Sequence, residues 1–133
     1  MRTILLVEDE RDLLEAMAST LFRRGFEVFA AADAVEAEEF LSRGLPDLLI
    51  ADVMLPGASG FSIAELVVER SEGQVPVLMM SGNTGRAHRE YALAAGAKGF
   101  LAKPFSLAEL VAAAEKFCPL SAPETAELAS APA

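Results

Sequence analysis

The chain has 133 residues, 53% of them hydrophobic, and a formal net charge of −9. That length and apolar content suit one domain with a single buried core, and the acidity argues against direct nucleic-acid binding. One cysteine, Cys118, excludes an internal disulfide or a cysteine metal cluster and makes a reducing cytoplasm the simplest setting.

In chain order, residues 3–7 form a β-rich apolar run that ends at Glu8-Asp9, a first strand. Its apolar stretch is too short for a secretory leader and is cut off by Glu8-Asp9-Glu10. From 11 to 24, Leu13, Leu14, Met17, Leu21 and Phe22 recur near helical spacing, and Gly25 ends that helix. Residues 26–30 are a short second strand. Asp33 opens a second helix with Glu36 three residues on, the pattern of a capping box, and Val35, Phe40 and Leu41 are expected to point inward. Gly44 stops it.

The stretch 46–60 reads P-D-L-L-I-A-D-V-M-L-P-G-A-S-G. Its apolar run 48–51, closed by Asp52, predicts a third strand buried on both faces, followed by a short apolar exit and a Pro56-Gly57 turn. A third helix starts near Ser59-Gly60 and carries Phe61, Ile63, Ala64, Leu66, Val67 and Val68 as far as Gly73. Residues 75–80 are a fourth strand ending at Ser81-Gly82, 86–95 a fourth helix capped by Gly96, and 98–102 a fifth strand ending at Lys103-Pro104. Ser106 and Glu109 form a capping box opening a fifth helix with Leu107, Leu110, Val111, Ala114 and Phe117. The stretch 119–133 is small, polar and Pro-rich, and is expected to be a disordered tail. No segment reaches membrane-spanning length.

Five strands alternating with five helices predict an α/β fold, a doubly wound five-stranded parallel sheet of (βα)5, flavodoxin-like type in residues 1–118. The expected strand order is 2-1-3-4-5. That order brings the carboxyl ends of strands 1, 3, 4 and 5 to one pocket, and they carry Glu8 and Asp9, Asp52, Ser81 and Lys103. Two like charges ~4 Å apart cost about 4 kcal/mol at an effective dielectric of about 20, so three clustered carboxylates need compensation. One compensator is Mg²⁺, which favours carboxylate and water oxygens in octahedral geometry. The other is the ammonium of Lys103. A carboxylate nucleophile, a metal, a lysine and a hydroxyl together suit phosphoryl transfer: Asp52 attacks phosphorus in line, the cations neutralise the equatorial oxygens, and Ser81 donates to one of them.

From Arg2 to Phe117 the chain resembles the receiver (response regulator) domains of bacterial two-component phosphorelay signalling. The resemblance rests on L-L-V-E-D-E at 5–10, D-V-M-L-P-G at 52–57, M-S-G at 80–82 and K-P-F at 103–105, in order and each at a strand end. It implies that Asp52 is the phosphoacceptor. Asp9 would hold Mg²⁺ directly and Glu8 directly or through water, with Asp52 and the backbone carbonyl of Met54 completing the metal site. Ser81 would be the switch hydroxyl, Lys103 would pair with the phosphoryl group, and the Lys103–Pro104 bond would be cis. Phe100 would be the aromatic switch that turns inward on activation; many relatives have Tyr there, so the hydrogen bond of a Tyr is lost. Ser81 stands in for the commoner Thr. Met54 and Asn83, each two residues beyond a site residue, would flank the phosphoryl group and tune its hydrolysis.

The resemblance further implies a histidine kinase or histidine phosphotransfer protein as phosphoryl donor, and an unidentified downstream protein that reads the face of helix 4, strand 5 and helix 5. The domain would catalyse its own modification and hydrolysis but turn over no external substrate, so it is not expected to be an enzyme in the ordinary sense. No output domain is expected after helix 5, and neither nucleic acid nor membrane is an expected partner. Blander readings exist for each residue alone. Lys103 is a surface lysine, Glu8-Asp9 an acidic loop start, Ser81 a turn or cap residue, and Phe100 a core aromatic. His88 reads as a surface residue of helix 4 with no nucleophile beside it, and Cys118 as inert. Two other functions compete: flavin mononucleotide binding through the Ser/Thr/Gly/Asn loop 81–85, and a receiver-like docking module that is never phosphorylated.

Overall fold

The computed structural model describes residues 2–82 and 86–119. The expectations for Asn83, for most of the 81–85 loop and for residues 120–133 of the tail lie outside them. The elements are β1 (Thr3–Val7), α1 (Arg11–Arg23), β2 (Glu27–Ala31), α2 (Ala34–Leu41), β3 (Leu48–Asp52), β4 (Met54–Leu55), β5 (Ala58–Ser59), α3 (Gly60–Arg70), β6 (Val77–Ser81), α4 (Arg86–Ala94), β7 (Gly99–Ala102) and α5 (Leu107–Phe117). Five strands form a parallel sheet in the order β2-β1-β3-β6-β7. This is the expected 2-1-3-4-5 order once the small antiparallel ribbon β4-β5 is set aside.

The unbroken apolar runs of the central strands follow from cover on both faces. Side chains alternate across a strand. Leu5, Val7, Leu49, Ala51, Val77 and Met79 therefore pack with Ala37 and Leu41 of α2, Ile63, Ala64 and Val67 of α3, and Ala92 of α4. Ile4, Leu6, Leu48, Ile50, Leu78 and Met80 face the other way, onto Leu14, Met17 and Leu21 of α1 and Leu110 and Ala114 of α5. Each fully buried Leu or Ile contributes about 1.5–3 kcal/mol relative to exposure, so the two faces hold the strand ends in a fixed frame.

Several local expectations need correction. Val35 is not inward: it is 73% exposed, while Ala37 and Leu41 are buried. Two residues of helix separate Val35 from Ala37, a rotation of about 200°, so both cannot face the sheet. Phe22 is likewise exposed. The fourth sheet strand starts at Val77 rather than 75, where Pro76 has no N–H to give to a ladder. At α2, Asp33 accepts from the Glu36 N–H at 2.8 Å, but the Glu36 carboxylate reaches back to the Ala32 N–H at 2.7 Å, one residue beyond the expected partner. The Ser106/Glu109 capping box of α5 forms in full.

The apolar exit after Asp52 is the first arm of the ribbon. Met54 pairs with Ser59 and Leu55 with Ala58 across Pro56-Gly57, and Gly57 takes the positive φ of 69° that the turn needs. The ribbon delivers Gly60, the first residue of α3, back onto the end of β3. Its N–H donates to the Val53 carbonyl at 2.8 Å, and a Cβ there would lie 1.9 Å from the Asp52 carbonyl oxygen. Ser59 caps the helix by accepting from the Phe61 N–H.

Cys118 is buried at the C-cap of α5. Burial pushes its thiol pKa up, the Asp47 charge adds to the effect, and Arg2 opposes it. The reactive thiolate is therefore depleted in mildly alkaline solution. Iodoacetamide labelling of the native protein is expected to run roughly tenfold or more slower than labelling of the urea-unfolded chain, read by intact mass. Equal rates would show that the C-terminal turn of α5 opens freely.

Candidate functional site at the carboxyl edge of the sheet

The site is built by strand register. Val7 of β1 pairs with Ala51 of β3, Asp52 pairs with Met80 of β6, and Ser81 pairs with Ala102 of β7. Beyond the paired residues, Val53 N–H donates to the Met80 carbonyl and Lys103 N–H to the Ser81 carbonyl, both at 2.8 Å. Glu8, Asp52, Ser81 and Lys103 are thus carried to one edge by four adjacent strands, as the order of the sheet requires.

At the centre, Lys103 bridges two buried carboxylates. Its Nζ donates to Glu8 Oε1 at 2.5 Å and to Asp52 Oδ2. Glu8 is fully buried and Asp52 only 5% exposed. The two acids are held in the same way. Glu8 Oε2 accepts the Glu10 N–H at 3.0 Å, and Asp52 Oδ1 accepts the Met54 N–H at 2.9 Å. Each carboxylate therefore uses one oxygen on the amide two residues ahead and the other on the shared ammonium. Among the described residues no buried side-chain N or O atom is left without a partner.

The electrostatics follow. Burial raises the Glu8 pKa, and the Asp52 charge adds to this, against the lowering effect of Lys103 and the Glu10 amide. For Lys103, burial disfavours the ammonium, but hydrogen bonds and charges from Asp52 and Glu8 together outweigh it and raise its pKa. The lysine is firmly cationic and Glu8 is the strained member of the pair. One cation between two buried anions leaves net negative charge. Asp9, which is exposed, extends the group: one oxygen from each of Glu8, Asp9 and Asp52 falls within 4.8 Å of the others. An all-oxygen, all-carboxylate set fits a hard divalent cation.

The Lys103–Pro104 bond is cis. Met54 contributes its amide to Asp52 and is itself 68% exposed. Ser81 is fully buried at the end of β6. Phe100, in β7, is half-buried, with the Arg89 guanidinium carbon 5.5 Å from its ring centroid. His88 corrects an expectation. It is half-buried rather than a bare surface residue, and its Nδ1 lies 3.0 Å from Ser81 Oγ. The first turn of a helix that follows a strand overhangs the end of that strand. His88, the third residue of α4, is the one that reaches back, and the strand–loop–helix spacing was the available signal.

Residues 4–115 match the response regulator receiver domain family. The chain is 38% identical over 122 residues to the phosphate regulon transcriptional regulatory protein PhoB of Rhizobium meliloti, covering 91% of this chain and 54% of that protein. It is 38% identical over 110 residues to the response regulator MprA of Mycobacterium leprae, covering 82% of this chain and 47% of that one. The chain thus spans about half the length of these curated relatives. Among solved structures it is similar to the non-phosphorylated HemR receiver domain from Leptospira biflexa, with a TM-score of 0.83 and 31% identity over 91% of this chain and 97% of that one. Chemotaxis response regulator CheY4 of Vibrio cholerae superposes with a TM-score of 0.80 at 30% identity, over 88% and 98% of the two chains. A two-component regulator family whose fold, strand order and length of match all coincide with those of residues 4–115 leaves one conclusion: this chain belongs to the response regulator receiver domains.

Proposed function

We propose that this domain accepts a phosphoryl group on Asp52 from a phosphohistidine of a histidine kinase or a histidine phosphotransfer protein. The observation that carries the reading is the bridge from Lys103 to both Glu8 and Asp52, two buried carboxylates aimed at one cation at the edge of the sheet. Receivers of this family interact with histidine kinases and with downstream targets; which ones serve this chain follows from docking contacts, not from the pocket.

An Asp52 carboxylate oxygen attacks phosphorus in line. The new O–P bond forms as the N–P bond to the donor imidazole breaks, and the imidazole leaves with that electron pair and takes up a proton. Lys103 neutralises charge on the phosphoryl oxygens, and Ser81 supplies a hydroxyl donor once it turns toward them. Glu8, Asp9 and Asp52, with the Met54 carbonyl, would hold Mg²⁺, whose charge supports the developing phosphoryl oxyanions. Hydrolysis of the acyl phosphate resets the domain, so no external substrate is turned over. The phosphoryl group favours the state it contacts better. Ser81 and Phe100 carry that preference to the face of α4, β7 and α5, where a partner reads it. Among the described residues no helix is long and apolar enough to cross a membrane, and the cytoplasm is the setting we assign.

Intact mass after incubation with Mg²⁺ and acetyl phosphate tests the reading. One added phosphoryl group, abolished by EDTA, is expected. No adduct, together with no spectral response to Mg²⁺ and beryllofluoride, would leave a docking module as the function.

A further inference from the structure

Ser81 has to serve the phosphoryl group, yet its hydroxyl lies against α4: Oγ is 3.0 Å from Nδ1 of His88. A serine hydroxyl has one proton to donate. In the tautomer with Nδ1 unprotonated, that proton is donated to the imidazole and is not available to a phosphoryl oxygen. The imidazole is itself held in place. Its ring meets Phe61 of α3 edge-on, with centroids 6.3 Å apart and planes at 88°. Phe61 in turn packs on Tyr91, one turn further along α4, with centroids 4.4 Å apart. The residue after His88, Arg89, lies over the ring of Phe100. Two consecutive residues of α4 therefore touch the two groups whose movement would signal phosphorylation.

We propose that His88 is a positioning residue that holds the Ser81 hydroxyl in the resting state, so that the hydroxyl must leave Nδ1 before it can serve a phosphoryl group on Asp52. This rests on the phosphoacceptor reading above and adds the element that opposes the switch. His88 touches neither the acceptor nor the metal-binding acids. It acts by setting how much of the binding energy of a phosphoryl group goes into releasing Ser81. Loss of the hydrogen bond removes the part of that opposition that His88 supplies and shifts the equilibrium toward the active arrangement. One intramolecular hydrogen bond of this kind corresponds to roughly two- to tenfold in an equilibrium constant.

The test is the apparent affinity for beryllofluoride, a phosphoryl mimic, in excess Mg²⁺. Amide shifts of the full chain report binding to wild type, His88→Ala, His88→Asn, Ser81→Ala and the Ser81→Ala/His88→Ala double variant. His88→Ala is expected to bind roughly two- to tenfold more tightly than wild type. His88→Asn, whose side-chain oxygen can stand where Nδ1 stands, is expected to return the affinity to near the wild-type value. In the Ser81→Ala background His88→Ala is expected to change nothing, because the hydroxyl it releases is gone. Unchanged or weaker binding by His88→Ala would overturn the proposal. So would an equal gain in the Ser81→Ala background, which would mark His88 as a general packing residue. A wild-type protein that does not respond to beryllofluoride would instead sink the phosphoacceptor reading, and the proposal with it.

Discussion

Asp52→Asn is expected to lose phosphoryl incorporation below the level of detection while remaining folded. The proposed nucleophile is a carboxylate oxygen, and an amide oxygen at the same place cannot form a stable acyl phosphate. The fold should tolerate the change because the asparagine oxygen can still accept the Met54 N–H that Asp52 Oδ1 accepts at 2.9 Å. The exchange also removes one of two buried negative charges that share a single lysine. A like-charge pair at ~4 Å costs about 4 kcal/mol at an effective dielectric of about 20, against which stands the lost attraction to Lys103. The two nearly offset, and a stability within about 1 kcal/mol of wild type is expected from urea unfolding. Stoichiometric labelling of the variant would remove Asp52 from the mechanism; a variant that fails to fold would mean that the Asp52–Lys103 pair outweighs the repulsion.

Lys103→Met is the opposite experiment, taking away the cation and leaving both anions. Glu8 and Asp52 are buried, and Lys103 bridges them with only 21% of its side chain exposed. Breaking such a pair from one side is expected to cost about 3 kcal/mol in metal-free buffer at neutral pH, and phosphoryl incorporation should fall with it. The sign of the pH dependence is fixed by the shifts. A raised Lys103 pKa means that its contribution in wild type is complete below the unfolded value and is lost only as pH climbs through the folded one, in strongly alkaline solution. A raised Glu8 pKa means that the folded chain binds its proton more readily than the unfolded one, so the Glu8 contribution grows as pH falls. Without the lysine this second effect dominates: the variant should recover stability on mild acidification, where wild type gains less. Mg²⁺ should also restore it, by about 2.7 kcal/mol at a hundredfold excess over its dissociation constant. Urea midpoints across pH, with and without Mg²⁺, read all three effects, and a variant as stable as wild type in EDTA at neutral pH would show that the carboxylates are compensated elsewhere.

The elements that were legible in the sequence are those set by periodicity and by turn residues. β3 runs over Leu48–Asp52 as expected because an unbroken apolar run closed by an acid has one simple solution in a sheet covered on both faces. The crossover rules prune the possible strand orders, and the flavodoxin-like order expected among them is the one found, which carries Glu8, Asp52, Ser81 and Lys103 to one edge of the sheet. What was not legible depends on direction rather than pattern. Val35 is apolar and lies in a helix, yet the rotation of that helix turns it to solvent. The β4-β5 ribbon is too short to show a period. The amides of Glu10 and Met54 that hold the two buried acids have no sequence signature, since every residue but proline has an N–H. The contact from His88 to Ser81 depends on how far the chain travels between β6 and α4 before turning back.

The close approach of Gly60 to the Asp52 carbonyl has a mechanical meaning. On that side the acceptor strand and α3 meet main chain to main chain, with a hydrogen bond from Gly60 to Val53 beside the contact, and no side chain lies between them to deform. That flank is stiff. On the other flank Ser81, His88, Arg89 and Phe100 meet through side-chain contacts that can be broken and remade one at a time. A load applied at Asp52 meets an anvil on one side and a spring on the other, so displacement should run toward α4 and β7 and leave the start of α3 where it is.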